Sequence, residues 1–211
     1  LIPVRNGKCV FMDTGANADC RPDFLLEFAV MGSAYASKIF DLESPKVALL
    51  SNGEEANKGN QLVKDAFPLL QKSGLNFAGN VEPKEIYAGK INCVVTDGFS
   101  GNVFLKSSES VARLITDTLK ESIQSSFRNK VGYLFIKPAF TSLKKLMDPS
   151  EAGAAILLGV NGLVFIGHGR SDARALVSAV KLARKTVDAN LMESMTKEIQ
   201  TRINLTSISM N

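Results

Sequence analysis

Short apolar runs alternate along this chain with polar, glycine-containing turns and with stretches of helical pattern. Each run is continuously apolar, without polar alternation, which is typical of strands covered on both faces. Helical patterns lie between most of the runs, so the sequence predicts a layered α/β fold with a mostly parallel sheet. The predicted strands are residues 8–12, 46–50, 75–78, 91–95 and 163–166.

Four longer segments have the spacing of helices. The first begins at Pro22, runs to about Phe40 and is apolar nearly all round in its first half, which predicts a central or interfacial position. The second contains Pro68, which predicts a kink or an early end. The segments are 22–40, 60–72, 103 or 107 to 125 with one apolar face, and 171 to about 200, followed by a frayed tail over 201–211.

Composition limits the number of domains and the kinds of partner but does not indicate one function. The 211 residues are 45% hydrophobic, enough for one α/β domain over the whole chain, and no apolar run approaches bilayer length. The start has neither an initiator Met nor a signal-peptide pattern, so we interpret it as a cut. The net charge of +4 suits an acidic partner or an anionic surface, and no nucleic-acid signature accompanies it.

Cysteine and histidine content argues against a metal site. Cys9, Cys20 and Cys93 lack metal-ligand spacing, and the first and last lie in apolar runs, so we expect buried thiols in a reducing cytoplasm. Cys20 lies in a loop, where an acyl-carrying thiol is a minor alternative. We predict no metal and no cofactor.

The strongest chemical signal is the turn after the run at 91–95. Asp97, Gly98, Gly101 and Asn102 stand there before a helical pattern, and glycines with positive φ and free backbone amides would cradle a phosphate. The alternative is an ordinary strand-to-helix turn, because the spacing matches neither a dinucleotide nor a Walker motif.

Similar turns follow two other strands. Asp13, Gly15 and Asn17 form one, with Asp13 as an orienting acceptor or, alternatively, as part of a helix-capping turn. The other contains Gly53, Glu54 and Lys58, where Lys58 would pair with an anion or belong to a solvated loop. Because ligands gather outside the carboxyl ends of parallel strands, we expect these turns to converge on one edge.

Two further features bear on function. His168 lies between glycines at the end of the run at 163–166, as a proton donor, an anion ligand or a structural residue. The segment 127–147 is basic and aromatic, contains Pro138 and predicts an amphipathic hairpin of two short helices. Its surface, with Tyr133, Phe135, Ile136 and Lys137, would contact an anionic membrane, a second subunit or both.

Several motifs in fixed order resemble the bacterial phosphate acyltransferase (PlsX) family. They are Met-Asp-Thr-Gly-Ala-Asn at 12–17, Met-Gly-Ser-Ala-Tyr-Ala at 31–36, Gly-Glu-Glu at 53–55 with Lys-Gly-Asn at 58–60, Gly-Asn-Val-Glu at 79–82, Thr-Asp-Gly-Phe-Ser-Gly-Asn at 96–102, Gly-His-Gly at 167–169 and Ser-Asp at 171–172. Members of that family carry a further N-terminal part, which this chain lacks.

The resemblance implies an enzyme that transfers a fatty acyl group from acyl carrier protein to inorganic phosphate for phospholipid synthesis. It also implies a three-layer Rossmann-like sandwich akin to isocitrate dehydrogenase and phosphotransacetylase, a homodimer, and a cytoplasmic protein held peripherally at the inner face of the membrane. Lys58, Asn102 and His168 are then the expected catalytic residues, with Gly98 and Gly101 supplying amides. The alternatives are another acyl or phosphate transferase, a nicotinamide enzyme, or a non-catalytic membrane or carrier-binding module.

Overall fold

The computed structural model describes residues 1–5, 7–146, 153–167, 169 and 171–208, with side chains described outside 142–146 and 203–208. The elements are β1 (Ile2–Val4), β2 (Gly7–Met12), α1 (Pro22–Phe40), β3 (Val47–Leu50), α2 (Gln61–Lys72), β4 (Phe77–Val81), α3 (Pro83–Tyr87), β5 (Cys93–Val95), α4 (Gly98–Gln124), α5 (Phe127–Leu146), β6 (Ala154–Leu157), β7 (Val164–Gly167), α6 (Ala173–Asp188) and α7 (Leu191–Ile208).

The main sheet has the strand order β1-β2-β5-β3-β4. Strands β2, β5, β3 and β4 run parallel, and β1 is added antiparallel beside β2. The first four predicted strands are therefore present, and the α/β fold with a mostly parallel sheet is confirmed. Strand β4 begins at Phe77, two residues later than its apolar run starts, and the short β1 was not predicted.

Helices cover both faces of this sheet. Successive side chains of a strand point to opposite faces, and accordingly Val10 packs with α1 while Phe11 packs with Phe104 of α4. Helices α1, α2 and α7 form one outer layer, and α3 with the start of α4 lies on the other face. This arrangement is a Rossmann-like three-layer sandwich.

Helix α1 is the central helix of the first layer, and both its predicted ends and its buried position are confirmed. Pro22 occupies its first turn, and the helix ends where Asp41 adopts the left-handed conformation with φ 55°. Its residues from Phe28 to Ala36 are all buried. Cys9 and Cys93 are fully buried, as predicted, and the Cys93 sulfur packs against Gly32 of α1.

The predicted strand at 163–166 does not join the main sheet. It forms β7, which pairs antiparallel with the unpredicted β6 in a separate ribbon. Strand β7 is therefore not one of the parallel strands whose carboxyl ends form the edge of the main sheet. An apolar run predicts a strand but does not specify its pairing partner.

Several helix boundaries also differ from the expectations. Helix α2 continues through Pro68 to Lys72, and α5 continues through Pro138, so an early end in one and a division in the other are both wrong. The last predicted helix is divided at Asn190, whose φ is +49°, into α6 and α7. Helix α7 extends to Ile208, so the tail predicted from residue 201 is helical up to that residue.

The hairpin in this region is formed by α4 and α5, which pack against each other, rather than within 127–147. The apolar face of α4, with Val111, Leu114 and Ile115, is exposed in the single chain. Phe135, 83% exposed, Ile136 and Lys137 of α5 are exposed as well, whereas Tyr133 is half-buried against Phe140. None of the helices described here combines the length and the apolar character needed to cross a bilayer.

Candidate functional site at the carboxyl edge of the sheet

Three of the predicted turns follow β2, β5 and β3, which are neighbours in the parallel part of the sheet. Backbone hydrogen bonds continue the pairing of β2 and β5 beyond the strands: Thr96 N donates to Met12 O at 2.8 Å and Asp13 N donates to Thr96 O at 3.0 Å. The turns after β2 and β5 are therefore joined to each other, and the turn after β3 begins at the same edge.

Asp13 organises the loop after β2. Its carboxylate is buried, with the residue 7% exposed, and it accepts hydrogen bonds from the backbone amides of Gly15 and Ala16 at 2.9 Å and of Asn17 at 2.7 Å. These amides neutralise the carboxylate and are not available to a ligand. The bonds show Asp13 as an acceptor that orients its own loop; the helix-capping alternative is wrong, because α1 begins only at Pro22.

The turn after β5 is the first turn of α4 and not a phosphate cradle. Asp97 is the N-cap, and its carboxylate accepts from Ser100 N at 2.7 Å. Gly98 N donates to Asn17 O at 2.8 Å and Gly101 N donates to Asp97 O at 2.9 Å. Neither glycine has positive φ. The prediction that Gly98 and Gly101 supply backbone donors to phosphate is therefore wrong, since both amides already have acceptors.

These glycines are required instead for the close approach of α4 to the loop after β2. A Cβ atom at Gly98 would lie 2.7 Å from Asn17 O, and one at Gly101 would overlap the carbonyl oxygen of Asp13. A side chain at either position would push the start of α4 away from the loop. The glycines therefore allow two backbone segments to approach each other, a role that the sequence did not predict.

Of the four residues predicted in this turn, Asn102 is the one that is exposed. A Cβ atom built at Gly15 would lie 3.5 Å from its Nδ2 atom, so its amide stands beside the loop after β2. Gly15 and Asn17 are also exposed there. The structure thus brings Asp13, Gly15, Asn17, Asp97, Gly98, Gly101 and Asn102 into one cluster.

Lys58 lies in the loop between β3 and α2. It is exposed and makes no ion pair with any described residue. Gly59 has φ +98°, which a residue with a side chain would rarely adopt, and its amide donates to Asn52 Oδ1 at 2.9 Å. Gly53 packs on the Lys58 side chain, since a Cβ atom there would lie 2.7 Å from Lys58 Cγ. Lys58 thus belongs to an ordered loop with an unpaired ammonium.

Glu54, in the same loop, is engaged elsewhere. Its carboxylate pairs with Lys84 Nζ at 3.2 Å, and Lys84 also contacts Glu82 at 3.1 Å. All three side chains are substantially exposed, so these ion pairs contribute little stability. Nothing in this arrangement directs Glu54 to the other predicted site residues.

Asn80 was not predicted as a site residue, although it belongs to the Gly-Asn-Val-Glu motif at 79–82. Asn80 is on β4, is 5% exposed, and donates from Nδ2 to Glu55 O at 2.8 Å in the Lys58 loop. Its Oδ1 atom and the hydroxyl of Ser51 are buried without a partner in the described structure. An asparagine within an apolar strand, next to its last residue, is the signal that would have found it.

Cys20 lies near the cluster but lacks the properties of a nucleophile. The pKa of its thiol is raised, mainly by burial and further by the negative charges of Asp13, Asp97 and Asp19. A hydrogen bond with the Gly98 backbone offsets part of this rise. A raised pKa keeps the sulfur protonated, which disfavours the acyl-carrying alternative. His168 lies outside the described residues. Within the described part, no group of three His, Cys, Asp or Glu side chains could hold a metal ion.

The parallel sheet, its two helical layers and the polar loops at the carboxyl edge define a Rossmann-like α/β protein. A family profile described as "Fatty acid synthesis protein" matches residues 1–194. The chain belongs to this family, which is the PlsX family that the sequence motifs indicated.

The chain is similar to proteins named "Phosphate acyltransferase" from several bacteria. It is 47% identical to that of Thermodesulfovibrio yellowstonii over 96% of this chain and 56% of the relative. The Thermus thermophilus relative is 49% identical over 90% of this chain and 58% of its own length. The Aquifex aeolicus relative is 43% identical over 96% of this chain and 60% of its own length. The chain therefore spans less than two thirds of these relatives.

Proposed function

We propose that the protein containing this chain is a phosphate acyltransferase that transfers a fatty acyl group from acyl carrier protein to inorganic phosphate, giving acyl phosphate. The observation that carries the proposal is the 43–49% identity to proteins named "Phosphate acyltransferase", which extends over at least nine tenths of this chain. Acyl phosphate would then serve phospholipid synthesis.

The reaction needs no protein nucleophile. An oxygen of phosphate attacks the thioester carbonyl, the carbon–oxygen bond forms, the carbon–sulfur bond breaks, and the carrier thiolate takes up a proton. The protein has to hold a dianion beside the carbonyl and stabilise the oxyanion that develops there. The loops offer two groups for this role, the unpaired ammonium of Lys58 and the exposed amide of Asn102.

Charge explains why a cation would be needed. Asp13 and Asp97 place two buried carboxylates at the start of α4, where the helix would otherwise attract an anion. A phosphate dianion at this edge is repelled by them unless a cation compensates. Among the described residues of the loops after β2, β5 and β3, Lys58 is the cation that has no acidic partner, because Arg21, at the end of the first of these loops, pairs with Asp23 at 2.9 Å. His168 remains a predicted third member, for proton or charge balance.

The test is direct formation of acyl phosphate by the intact protein. Acyl carrier thioester and phosphate are mixed, and the product is trapped with hydroxylamine. We expect Lys58→Met and Asn102→Ala each to lower turnover by about a hundredfold, the loss seen when one polarising donor is removed. Lys64→Met is the matched control, because Lys64 is an exposed lysine of α2 six positions away.

Three results would refute parts of the proposal. No trapped product with acyl carrier thioester refutes the reaction, and product formed only with acetyl-coenzyme A would favour a different phosphate acyltransferase. Near-normal turnover in both variants would remove Lys58 and Asn102 from the site. A loss in Lys64→Met equal to that in Lys58→Met would mean that general charge, and not Lys58, attracts the substrate.

We also propose that α5 contacts an anionic membrane surface, and that the protein is a homodimer. Phe127, Leu134 and Phe135 are at least 66% exposed and lie among the basic residues Arg128, Lys130 and Lys137. An amphipathic helix of this composition binds at the interface of anionic lipids. The exposed apolar face of α4 supports a subunit contact beside it.

Cosedimentation with anionic vesicles tests the membrane contact. Phe135→Asp with Ile136→Asp should abolish it, while Val177→Asp with Val180→Asp, an equally exposed pair on α6, should leave it intact. Sedimentation velocity reports the oligomer in each case. Unchanged vesicle binding by the α5 variant would refute the membrane proposal, and a monomeric wild-type protein would refute the dimer.

A further inference from the structure

The side chain of Asn80 is hydrogen-bonded to the loop between β3 and α2, residues 51–60, which we call the Lys58 loop. Its Nδ2 atom donates to Glu55 O at 2.8 Å and to Lys58 O at 3.4 Å, across 25 and 22 positions of sequence. Asn80 is 5% exposed and lies on β4, which is hydrogen-bonded to β3. The amide therefore links a rigid strand to two carbonyl groups of a loop that is otherwise exposed.

A backbone hydrogen bond within the loop shares its acceptor atom, Glu55 O, with the Asn80 amide. Lys58 N donates to Glu55 O at 3.0 Å, so Glu55 O accepts from both Lys58 and Asn80. Beyond the loop, Asn60 caps α2 by accepting from Val63 N at 3.0 Å. The backbone on each side of the Lys58 side chain is thus fixed, one side by Asn80 and the other by the start of α2.

We propose that Asn80 is a positioning residue for Lys58, which holds the loop so that the ammonium stays at the carboxyl edge of the sheet and binds inorganic phosphate there. This inference rests on the proposed function for the identity of the anion. The inference adds a residue that does not itself touch the substrate. It also explains why a buried asparagine stands next to last in a strand with no other polar side chain.

The chemistry of the contact requires an amide. Both acceptors are carbonyl oxygens, so the side chain must donate, and only Nδ2 of the asparagine can do so. Aspartate has the same size but would place an oxygen with negative charge against those carbonyls. The Oδ1 atom has no partner in the described structure, so it does not anchor the side chain in another way.

The experiment compares Asn80→Asp and the milder Asn80→Ser with the control Asn76→Asp in the intact protein. Asn76 also bridges to a backbone carbonyl, donating to Ser44 O at 3.0 Å, but it stands before β4 at the other edge of the sheet. We expect the KM for inorganic phosphate to rise by roughly 5- to 30-fold in the Asn80 variants, the equivalent of one or two hydrogen bonds, with the KM for the acyl donor unchanged.

Two readouts separate positioning from general stabilisation. In a Lys58→Met background, Asn80→Asp should cause no further loss, because its effect passes through Lys58. Trypsin cleavage after Lys58 should accelerate relative to cleavage after Lys64 in α2, since only the loop is released. Thermal unfolding shows whether each variant is folded, and Asn80→Ser serves where Asn80→Asp is not.

An unchanged phosphate KM in folded Asn80 variants would overturn the inference, as would a further, additive loss in the Lys58→Met background. If the intact wild-type protein forms no acyl phosphate, the proposed function fails separately. The cleavage ratio then decides alone: faster cleavage after Lys58 in the Asn80 variants supports the positioning role, and an unchanged ratio overturns it.

Discussion

Adding one methyl group at Gly101, by substitution with alanine, should push the start of α4 away from the loop after β2. A Cβ atom there would overlap the carbonyl oxygen of Asp13 and lie 2.9 Å from Thr96 Cγ2 and 3.0 Å from the Asp13 carbonyl carbon. Two of these three obstacles are backbone atoms, which have no alternative rotamer. Gly101→Ala therefore requires α4 or the loop to move.

The expected loss of stability follows from one favourable and two unfavourable contributions. Alanine is favoured over glycine within a helix by about 1 kcal/mol. Overpacking costs about 1–3 kcal/mol, and we expect the upper end here because the obstacle is backbone. Displacement of the helix start would also strain the bond from Gly98 N to Asn17 O and the Asp97 cap, the latter worth about 1 kcal/mol. We therefore expect a net destabilisation of about 2–3 kcal/mol.

Urea unfolding of the intact protein measures this loss, with Gly132→Ala as the matched control. Gly132 is also helical, in α5, but a Cβ atom there would meet nothing within 4 Å. The control should therefore gain about 0.5–1 kcal/mol. Equal stability changes in the two variants would refute the close approach of α4 to the Asp13 loop, and with it the account of why glycine stands at 101.

Two further predictions concern the N-caps of α4 and α6 and the buried thiol of Cys9. Asp97→Ala and Asp172→Ala each remove an N-cap acceptor, at 2.7 Å from Ser100 N and 2.8 Å from Ala175 N, and each should cost about 1 kcal/mol in urea unfolding. Only Asp97→Ala should also lower acyl phosphate formation, because it loosens the start of α4 that carries Asn102, and we expect this effect to exceed the gain from removing a repelling carboxylate. Equal activity losses in the two variants would contradict this. Burial raises the pKa of Cys9 from 9.0 to about 12, so the native state keeps this proton after the unfolded state has lost it. The thiol thus contributes stability below about pH 9 that is lost as pH rises toward 12, by about 1.4 kcal/mol per pH unit. Urea unfolding at pH 8, 9, 10 and 11 should show a shallower decline in Cys9→Ala, and parallel declines would refute the assignment.

The main sheet and α1 were predictable from sequence because their signals are local. Continuous apolar runs specify buried strands, and Pro22 followed by an apolar surface all round specifies the start and burial of α1. The pairing of β7 with β6 was not predictable in the same way. Strand pairing depends on contacts between distant residues, and the apolar run at 163–166 has the same composition as a strand of the main sheet.

The start of α4 shows how a correct local signal led to a wrong structural reading. Gly98 and Gly101 are poor helix formers, so the sequence favoured a loop up to residue 103. The structure has them in the first turn of the helix, where the absence of side chains lets α4 approach Asp13 and Asn17. Tertiary packing overrides helix propensity here, and no pattern within the segment distinguishes the two uses of glycine.

The same packing determines which groups at this edge can bind an anion. Gly15, Ala16 and Asn17 donate their amides to the Asp13 carboxylate, and the amides of Gly98, Ser100 and Gly101 have acceptors within the protein. The edge therefore uses these amides to hold its own loops together, although a glycine-rich helix start is the usual sign of a phosphate site. Under the proposed function, attraction for phosphate has to come from side chains that remain unpaired, and Lys58 and Asn102 are two such side chains among the predicted residues that the structure describes. Under the proposed function, phosphate binding then depends on how firmly those two side chains are held, by the Asn80 amide in the case of Lys58 and by the close contact at Gly101 in the case of Asn102.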